Sequence, residues 1–276
     1  MANKEPRWHT SERCESFRAL HAVASANSWK SWDEVEPGFL QAMSDFDSKL
    51  STTVGMSLSD EENTEVSADI QNGKGDFFND LLALLLLNFT GLESLSTRSA
   101  VPGLIVPTHN LDGAYPDDGP IRFLLEAKMM GGPKHINNAK ARDVGRRGSA
   151  DIKKRVTELG FKSIDLKGEY SRRAAASGGE AASGGPGGGD LTTWLRAIDP
   201  KIYFFLGVRV INDSDMGAVV RWAQTAAQVV DAVGLFCFEP DGSSFTSYKR
   251  RNGVPTNLQI ERVLYKAALD LQSLIV

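Results

Sequence analysis

The chain has 276 residues, of which 41% are hydrophobic and 24% are charged. This composition is typical of a globular protein and excludes a wholly disordered chain, a collagen-like repeat and a small disulfide-stabilised domain. The charge is uneven: residues 1–80 carry seven Lys and Arg against fifteen Asp and Glu, whereas residues 121–173 carry fourteen against six. A basic segment in an acidic protein suggests one face that binds a polyanion.

The sequence contains no segment that we expect to cross a membrane. Its longest purely apolar run, residues 81–87, is much shorter than the roughly 20 residues that a bilayer requires. The N-terminus lacks the apolar core of a secretion signal. Cys14 and Cys237 are too few for a disulfide framework or a four-ligand zinc site, and Cys237 lies in an apolar run typical of a buried thiol. We therefore expect a cytoplasmic protein.

The N-terminal region, residues 1–72, is polar and helical in pattern, and could be an accessory DNA-reading or dimerising element. Residues 57–69 are acidic and predict an exposed connector. Gly73 and Gly75 are then expected to break the chain before a buried, leucine-rich helix that ends near residue 91. These features place the boundary of the main domain, residues 73–276, at Gly73.

A β-hairpin is predicted in the next part of the chain. Residues 101–112 are extended in character, residues 116–120 are rich in turn-forming Pro, Asp and Gly, and residues 121–128 form an apolar, strand-length run. A basic loop over residues 129–149 follows. Residues 150–159 predict a helix that Gly160 ends.

A glycine-rich stretch, residues 174–190, predicts a flexible insertion because it has little means of packing a core. After it the pattern becomes strand, helix, strand, edge strand and closing helix, over residues 201–211, 213–231, 233–238, 245–248 and 258–274. Strands that alternate with helices indicate an α/β fold. Because the sheet begins with a hairpin, we predict a mixed central sheet flanked by helices.

The hairpin also carries the strongest candidate for a chemical site. Period-two alternation places Glu126 and Lys128 on the same face of the second strand. If the turn is centred on Gly119, residues whose numbers add to 238 lie opposite each other, so Asp112 faces Glu126. Two adjacent carboxylates repel each other unless a cation lies between them, which is typical of a Mg²⁺ site. Lys128 could then orient a water molecule or stabilise negative charge on a reacting phosphate.

Asp112, the hairpin and Glu126-Ala127-Lys128 together resemble the D…(D/E)-x-K signature of the PD-(D/E)XK nucleases, the restriction-endonuclease-like superfamily. The resemblance covers about residues 75–275 and implies a restriction-endonuclease-like core. It also implies a further acidic residue on the preceding helix, a position that Asp80 matches. The family's Pro-Asp pair is Leu111-Asp112 here, whereas the literal Pro-Asp is Pro116-Asp117, so Asp117 is the alternative first ligand.

A second D-x-K motif, Asp165-Leu166-Lys167, has Asp151 fourteen residues before it. The residues before Asp165 form neither a buried strand nor a hairpin. We therefore interpret this motif as solvated charge on a helix and retain it as an alternative catalytic pair.

These observations predict a Mg²⁺-dependent endonuclease that hydrolyses double-stranded DNA, most similar to a type II restriction endonuclease. The resemblance implies a homodimer and, for restriction, a partner DNA methyltransferase. The alternatives are a repair, recombination or mobile-element nuclease of the same fold, a non-catalytic DNA-binding protein, and a scaffold protein. Backbone phosphates would be bound by basic residues of the loop and the helix after it, namely Lys134, His135, Lys140, Arg142, Arg146, Arg147, Lys153 and Lys154.

Overall fold

The structure is a computed structural model that describes residues 31–54, 60–133, 147–176, 191–242 and 247–275, with only the backbone described over residues 48–54 and 60–71 and at residues 96, 97 and 99. The strands are β1 (Ser96–Val101), β2 (His109–Tyr115), β3 (Phe123–Met130), β4 (Lys201–Arg209), β5 (Ala232–Pro240) and β6 (Tyr248–Arg250). The helices are α1 (Trp32–Val54), α2 (Asp60–Thr90), α3 (Ile152–Ala176), α4 (Leu191–Ala197), α5 (Asp213–Ala226) and α6 (Ile260–Gln272).

The six strands form one sheet in sequence order, β1 to β6. The outer pairs β1–β2, β2–β3 and β5–β6 are antiparallel, whereas β3–β4 and β4–β5 are parallel. The parallel strands are buried along almost their whole length, as expected when helices cover both faces of a sheet. The prediction of an α/β fold with a mixed sheet is confirmed.

Two hydrophobic layers enclose the sheet. On one face, α1, α2 and α6 pack against Phe123, Leu125 and Ala127 of β3. On the other face, α3 and α5 pack against Leu124 and the alternate side chains of β4 and β5, including the buried Cys237. Burial raises the pKa of the Cys237 thiol, which agrees with the expected structural role. No helix of the described residues is long and apolar enough to cross a membrane.

The N-terminal helices belong to the same core as the sheet, because buried α1 residues such as Trp32 and Phe39 lie in one cluster with Phe236 of β5. The predicted boundary at Gly73 falls inside α2, which runs without interruption from Asp60 to Thr90. The expected connector over residues 57–69 and the expected break at the glycines are therefore wrong over residues 60–75. Tertiary packing outweighs the weak helix propensity of glycine here.

The helix predicted to end at Gly160 continues to Ala176. A Cβ at Gly160 would lie 3.5 Å from Val229, an ordinary van der Waals distance, so the packing of α3 does not depend on this glycine. Residues 174–176, predicted as part of the flexible insertion, complete α3, and residues 177–190 lie outside the described residues.

The predicted hairpin register is confirmed. The paired residues of β2 and β3 are Gly113↔Leu125, Ala114↔Leu124 and Tyr115↔Phe123, and the numbers of each pair add to 238. Asp112 and Glu126 lie one step beyond the pair Gly113↔Leu125, at the point where regular pairing of β2 with β3 ends. The register therefore brings the two predicted metal ligands to the same place in the sheet.

Candidate active site

Asp112 and Glu126 lie side by side on β2 and β3, midway along the two strands. The backbone N–H of Ala127 donates to Asp112 Oδ2 at 3.2 Å, so the aspartate side chain continues the ladder where backbone pairing stops. The Glu126 side chain is 5% exposed, whereas that of Asp112 is 32% exposed. One carboxylate is therefore buried and the other is partly exposed to solvent beside it.

Lys128 joins the two carboxylates. Its Nζ lies 2.8 Å from Asp112 Oδ2 and 3.7 Å from Glu126 Oε2. Burial disfavours the charged form of Lys128, but the two carboxylates outweigh that effect and raise its pKa. The lysine is therefore a cation between two anions, and the structure brings together the three residues of the predicted D…E-x-K motif.

Two further residues complete the site and were not assigned to it from the sequence. Lys162 of α3 places its Nζ 2.7 Å from Glu126 Oε1 and 2.9 Å from the Asn110 carbonyl oxygen. Asn79 of α2 donates from Nδ2 to the Asp112 carbonyl oxygen at 3.3 Å. Neither belongs to a local motif with Asp112 or Glu126, so only the packing of α2 and α3 reveals them.

The positive and negative charges of the site balance one another. Burial raises the pKa of Glu126, and the neighbouring Asp112 carboxylate raises it further, whereas Lys162 and Lys128 act to lower it. Two carboxylates and two ammonium groups sum to zero, which is how a protein tolerates a buried carboxylate. A bound divalent cation would bring the four groups to a net positive charge, which favours an anionic substrate.

The structure separates the alternative first ligands. Asp117 lies beyond the end of β2, at the opposite end of the hairpin from Glu126, and accepts a hydrogen bond from Ser94 Oγ at 2.9 Å. Only Asp112 of the two lies beside Glu126. Asp80 is half-buried on α2, which covers the sheet face opposite to Lys162 and α3, and its proposed role remains a prediction.

The second D-x-K motif has a structural role in this fold. The Asp165 carboxylate accepts two backbone N–H groups of the loop before β2 and lies 2.7 Å from His109 Nε2. Lys167 is fully buried and its Nζ lies 2.9 Å from Asp231 Oδ2. Asp151 lies at the start of α3, roughly 20 Å along the helix from Asp165. The interpretation of Asp165 and Lys167 as solvated charge is wrong, because both side chains are buried and are held by partners from distant parts of the chain.

The predicted phosphate-binding residues are only partly described. Arg147, Lys153 and Lys154 are exposed on the approach to α3 and on its first turn. They belong to the same segment as Lys162, which lies about 14 Å further along the helix axis than Lys153. Lys134, His135, Lys140, Arg142 and Arg146 lie outside the described residues.

The end of the basic loop is fixed by Asp215 of α5. Its buried carboxylate accepts the backbone N–H groups of Gly148 at 3.1 Å and Ser149 at 3.0 Å. The same side chain accepts the N–H of Ile211, which follows β4. Because a carboxylate that accepts several backbone N–H groups is strongly held, the start of α3 has a defined position at the carboxyl end of β4.

Across the described residues, no group of three or more His, Cys, Asp or Glu side chains is arranged to hold a metal ion. Mg²⁺ characteristically uses one or two carboxylates together with water and substrate phosphate oxygens, so the Asp112–Glu126 pair matches this smaller donor set. Comparison with protein-family models, curated proteins and solved structures finds no significant match. The functional interpretation therefore depends on the geometry of the site and on the motif.

Proposed function

We propose that the protein is a Mg²⁺-dependent endonuclease with a restriction-endonuclease-like core that hydrolyses phosphodiester bonds of double-stranded DNA, most similar to a type II restriction endonuclease. One observation carries the proposal: a single positive charge, the Lys128 ammonium, lies 2.8 Å from an Asp112 oxygen and 3.7 Å from a Glu126 oxygen. The two carboxylates are thus within reach of one shared cation.

Asp112 and Glu126 would hold the divalent ion. Both offer the hard oxygen ligands that Mg²⁺ prefers, and Asp112 is exposed enough for a phosphate to approach. When bound, the ion would neutralise charge developing on the phosphate and lower the pKa of a nearby water molecule. Side chains of the protein itself would carry out the remaining roles in the reaction.

Lys128 would act on the reacting atoms. Its side chain is 35% exposed and its raised pKa keeps it protonated at neutral pH. An ammonium group in this position can donate hydrogen bonds to the attacking water and to a phosphate oxygen, which stabilises the transition state more than the ground state. The exposed Arg147, Lys153 and Lys154 would bind backbone phosphates, giving salt-sensitive affinity that does not depend on sequence.

Restriction requires recognition of a specific site, a partner methyltransferase and, for cutting both strands, a homodimer, and these remain parts of the proposal. A repair or recombination nuclease would use the same four side chains, namely those of Asp112, Glu126, Lys128 and Lys162. A DNA-binding protein without catalysis would keep the basic segment and would use Asp112 and Glu126 only as ion-pair partners of Lys128 and Lys162. The 32% exposure of Asp112 beside the buried Glu126 favours an enzyme, because it lets a phosphate approach the carboxylate pair.

The experiment that tests the proposal incubates the purified protein with phage DNA, with and without Mg²⁺. Discrete fragments that appear only with Mg²⁺ would support restriction, and a smear would support a nonspecific nuclease. The Glu126→Gln variant should cut at least roughly 100-fold more slowly than the wild type. Even changes to the outer partners of a metal site cost 10–100-fold, and Glu126 is a proposed direct ligand. The matched control is Glu158→Gln, an exposed residue of α3. DNA left intact at every Mg²⁺ concentration would contradict the proposal.

A further inference from the structure

Lys162 is the second lysine of the site, and it contacts the buried carboxylate from the opposite side to Lys128. We propose that Lys162 is a positioning residue that fixes Glu126 for metal binding, while Lys128 is the lysine that must give way to the metal. This inference rests on the proposed function and assigns the two lysines separate roles in it.

The geometry distinguishes the two oxygens of Glu126. Oε1 accepts from Lys162 Nζ at 2.7 Å, whereas Oε2 is the oxygen that lies 3.7 Å from Lys128 Nζ. Lys128 in turn lies 2.8 Å from Asp112. Lys162 therefore binds Oε1, the oxygen that is turned away from Lys128. The other oxygen, Oε2, faces the Lys128 ammonium, which also contacts Asp112.

A cation shared by Asp112 and Glu126 would compete with the Lys128 ammonium, because that ammonium already occupies the space between the two carboxylates. Lys128 is 35% exposed and can move outward to a substrate phosphate. No such competition exists at Oε1. Lys162 can keep both of its hydrogen bonds, to Glu126 and to the Asn110 carbonyl oxygen at 2.9 Å.

Lys162 has the rigid support that a positioning residue needs. The next residue, Ser163, is fully buried and donates from Oγ to the Val229 carbonyl oxygen at 2.6 Å. Asp165, one helical turn further along, is fixed by His109 and by the loop before β2. The backbone of α3 is thus held next to Lys162 by contacts with Val229 and with His109, and Lys162 contacts both β2 and β3.

The test measures Mg²⁺ affinity by titration calorimetry in the wild type and in Lys162→Met and Lys128→Met. Removing a positive charge should tighten Mg²⁺ binding if electrostatics alone matter. We expect Lys128→Met to bind Mg²⁺ at least as tightly as the wild type but not to cleave. Lys162→Met should instead bind Mg²⁺ roughly 10- to 100-fold more weakly, as when other outer partners of metal ligands are lost, and high Mg²⁺ should restore its cleavage.

Two further variants serve as controls. Lys249→Met removes an exposed lysine of β6, whose Nζ lies 3.4 Å from Asp241, and should change neither affinity nor cleavage. Lys162→Arg keeps a charged donor and should bind Mg²⁺ within a few-fold of the wild type. If Lys162→Met does not fold, as judged by circular dichroism, Lys162→Gln supplies the same comparison with one donor retained and no charge.

The outcomes separate the two proposals. Unchanged or tighter Mg²⁺ binding by the uncharged Lys162 variants, in a wild type that binds Mg²⁺ and cleaves, would overturn the positioning role and leave the nuclease proposal standing. A wild type that neither binds Mg²⁺ nor cleaves would overturn both. Weaker binding by Lys162→Met together with retained binding by Lys128→Met supports the assignment.

Discussion

Replacing Lys74 by methionine tests whether the N-terminal helices are an essential part of the folded core. Lys74 Nζ of α2 lies 2.8 Å from Asp47 Oδ1 of α1, and both side chains are fully buried. Asp47 Oδ2 accepts from Tyr248 Oη of β6 at 2.6 Å, and Arg209 of β4 donates to the same Tyr248 oxygen at 3.1 Å. The substitution would leave a buried carboxylate without its charged partner, which typically costs about 3–5 kcal/mol.

The loss should be measured by urea unfolding, followed by circular dichroism and by tryptophan fluorescence, because Trp32 is buried in α1. A loss of this size is a large part of the roughly 5–15 kcal/mol that stabilises a typical protein. The exposed Lys154→Met serves as the control, with an expected change below about 0.5 kcal/mol. A destabilisation of Lys74→Met smaller than about 1 kcal/mol would refute the view that these helices complete the core.

Three further predictions concern backbone geometry and pH. Gly131 has φ +78° and a Cβ there would lie 2.4 Å from the Arg209 carbonyl oxygen, so Gly131→Ala should lose about 2–5 kcal/mol. Gly75 lies inside α2 with no neighbour within 4 Å of a Cβ, so Gly75→Ala should gain about 0.5–1 kcal/mol; urea midpoints that shift in the same direction would contradict this reasoning. Hydrogen bonds from Arg172 and Arg173 lower the pKa of Glu169 to about 2. Its stabilising effect should therefore be present above about pH 4.3 and disappear as the pH falls towards 2, so that melting curves of the wild type and Glu169→Gln converge there; a difference independent of pH would contradict this.

The hairpin and the proximity of its charged side chains could be predicted from the sequence because the signals are local. Turn residues between two apolar runs determine which residues pair, and the pairing determines which side chains are neighbours. For this reason the sequence alone predicts that Asp112, Glu126 and Lys128 share one site. The α/β class follows in the same way from the alternation of strand and helix patterns.

The predictions that failed depend on contacts between distant residues. Gly73 and Gly75 resemble a helix start, yet α2 continues through them, and Lys74 between them is held by Asp47 of another helix. Asp165 and Lys167 resemble surface charge, but His109 and Asp231 lie 56 and 64 residues away in sequence. A helix position alone does not reveal which strand its side chain will meet, so Lys162 could not be assigned to Glu126 without the fold.

The most direct test of the central claim counts the divalent ions bound to each chain, with Mn²⁺ as the probe and electron paramagnetic resonance as the readout. The claim is that Asp112 and Glu126 share one ion. We predict that the wild type and Glu158→Gln bind an ion that both Asp112→Asn and Glu126→Gln lose. Equal Mn²⁺ binding by the wild type and by these two variants, or a wild type that binds no Mn²⁺, would contradict the account.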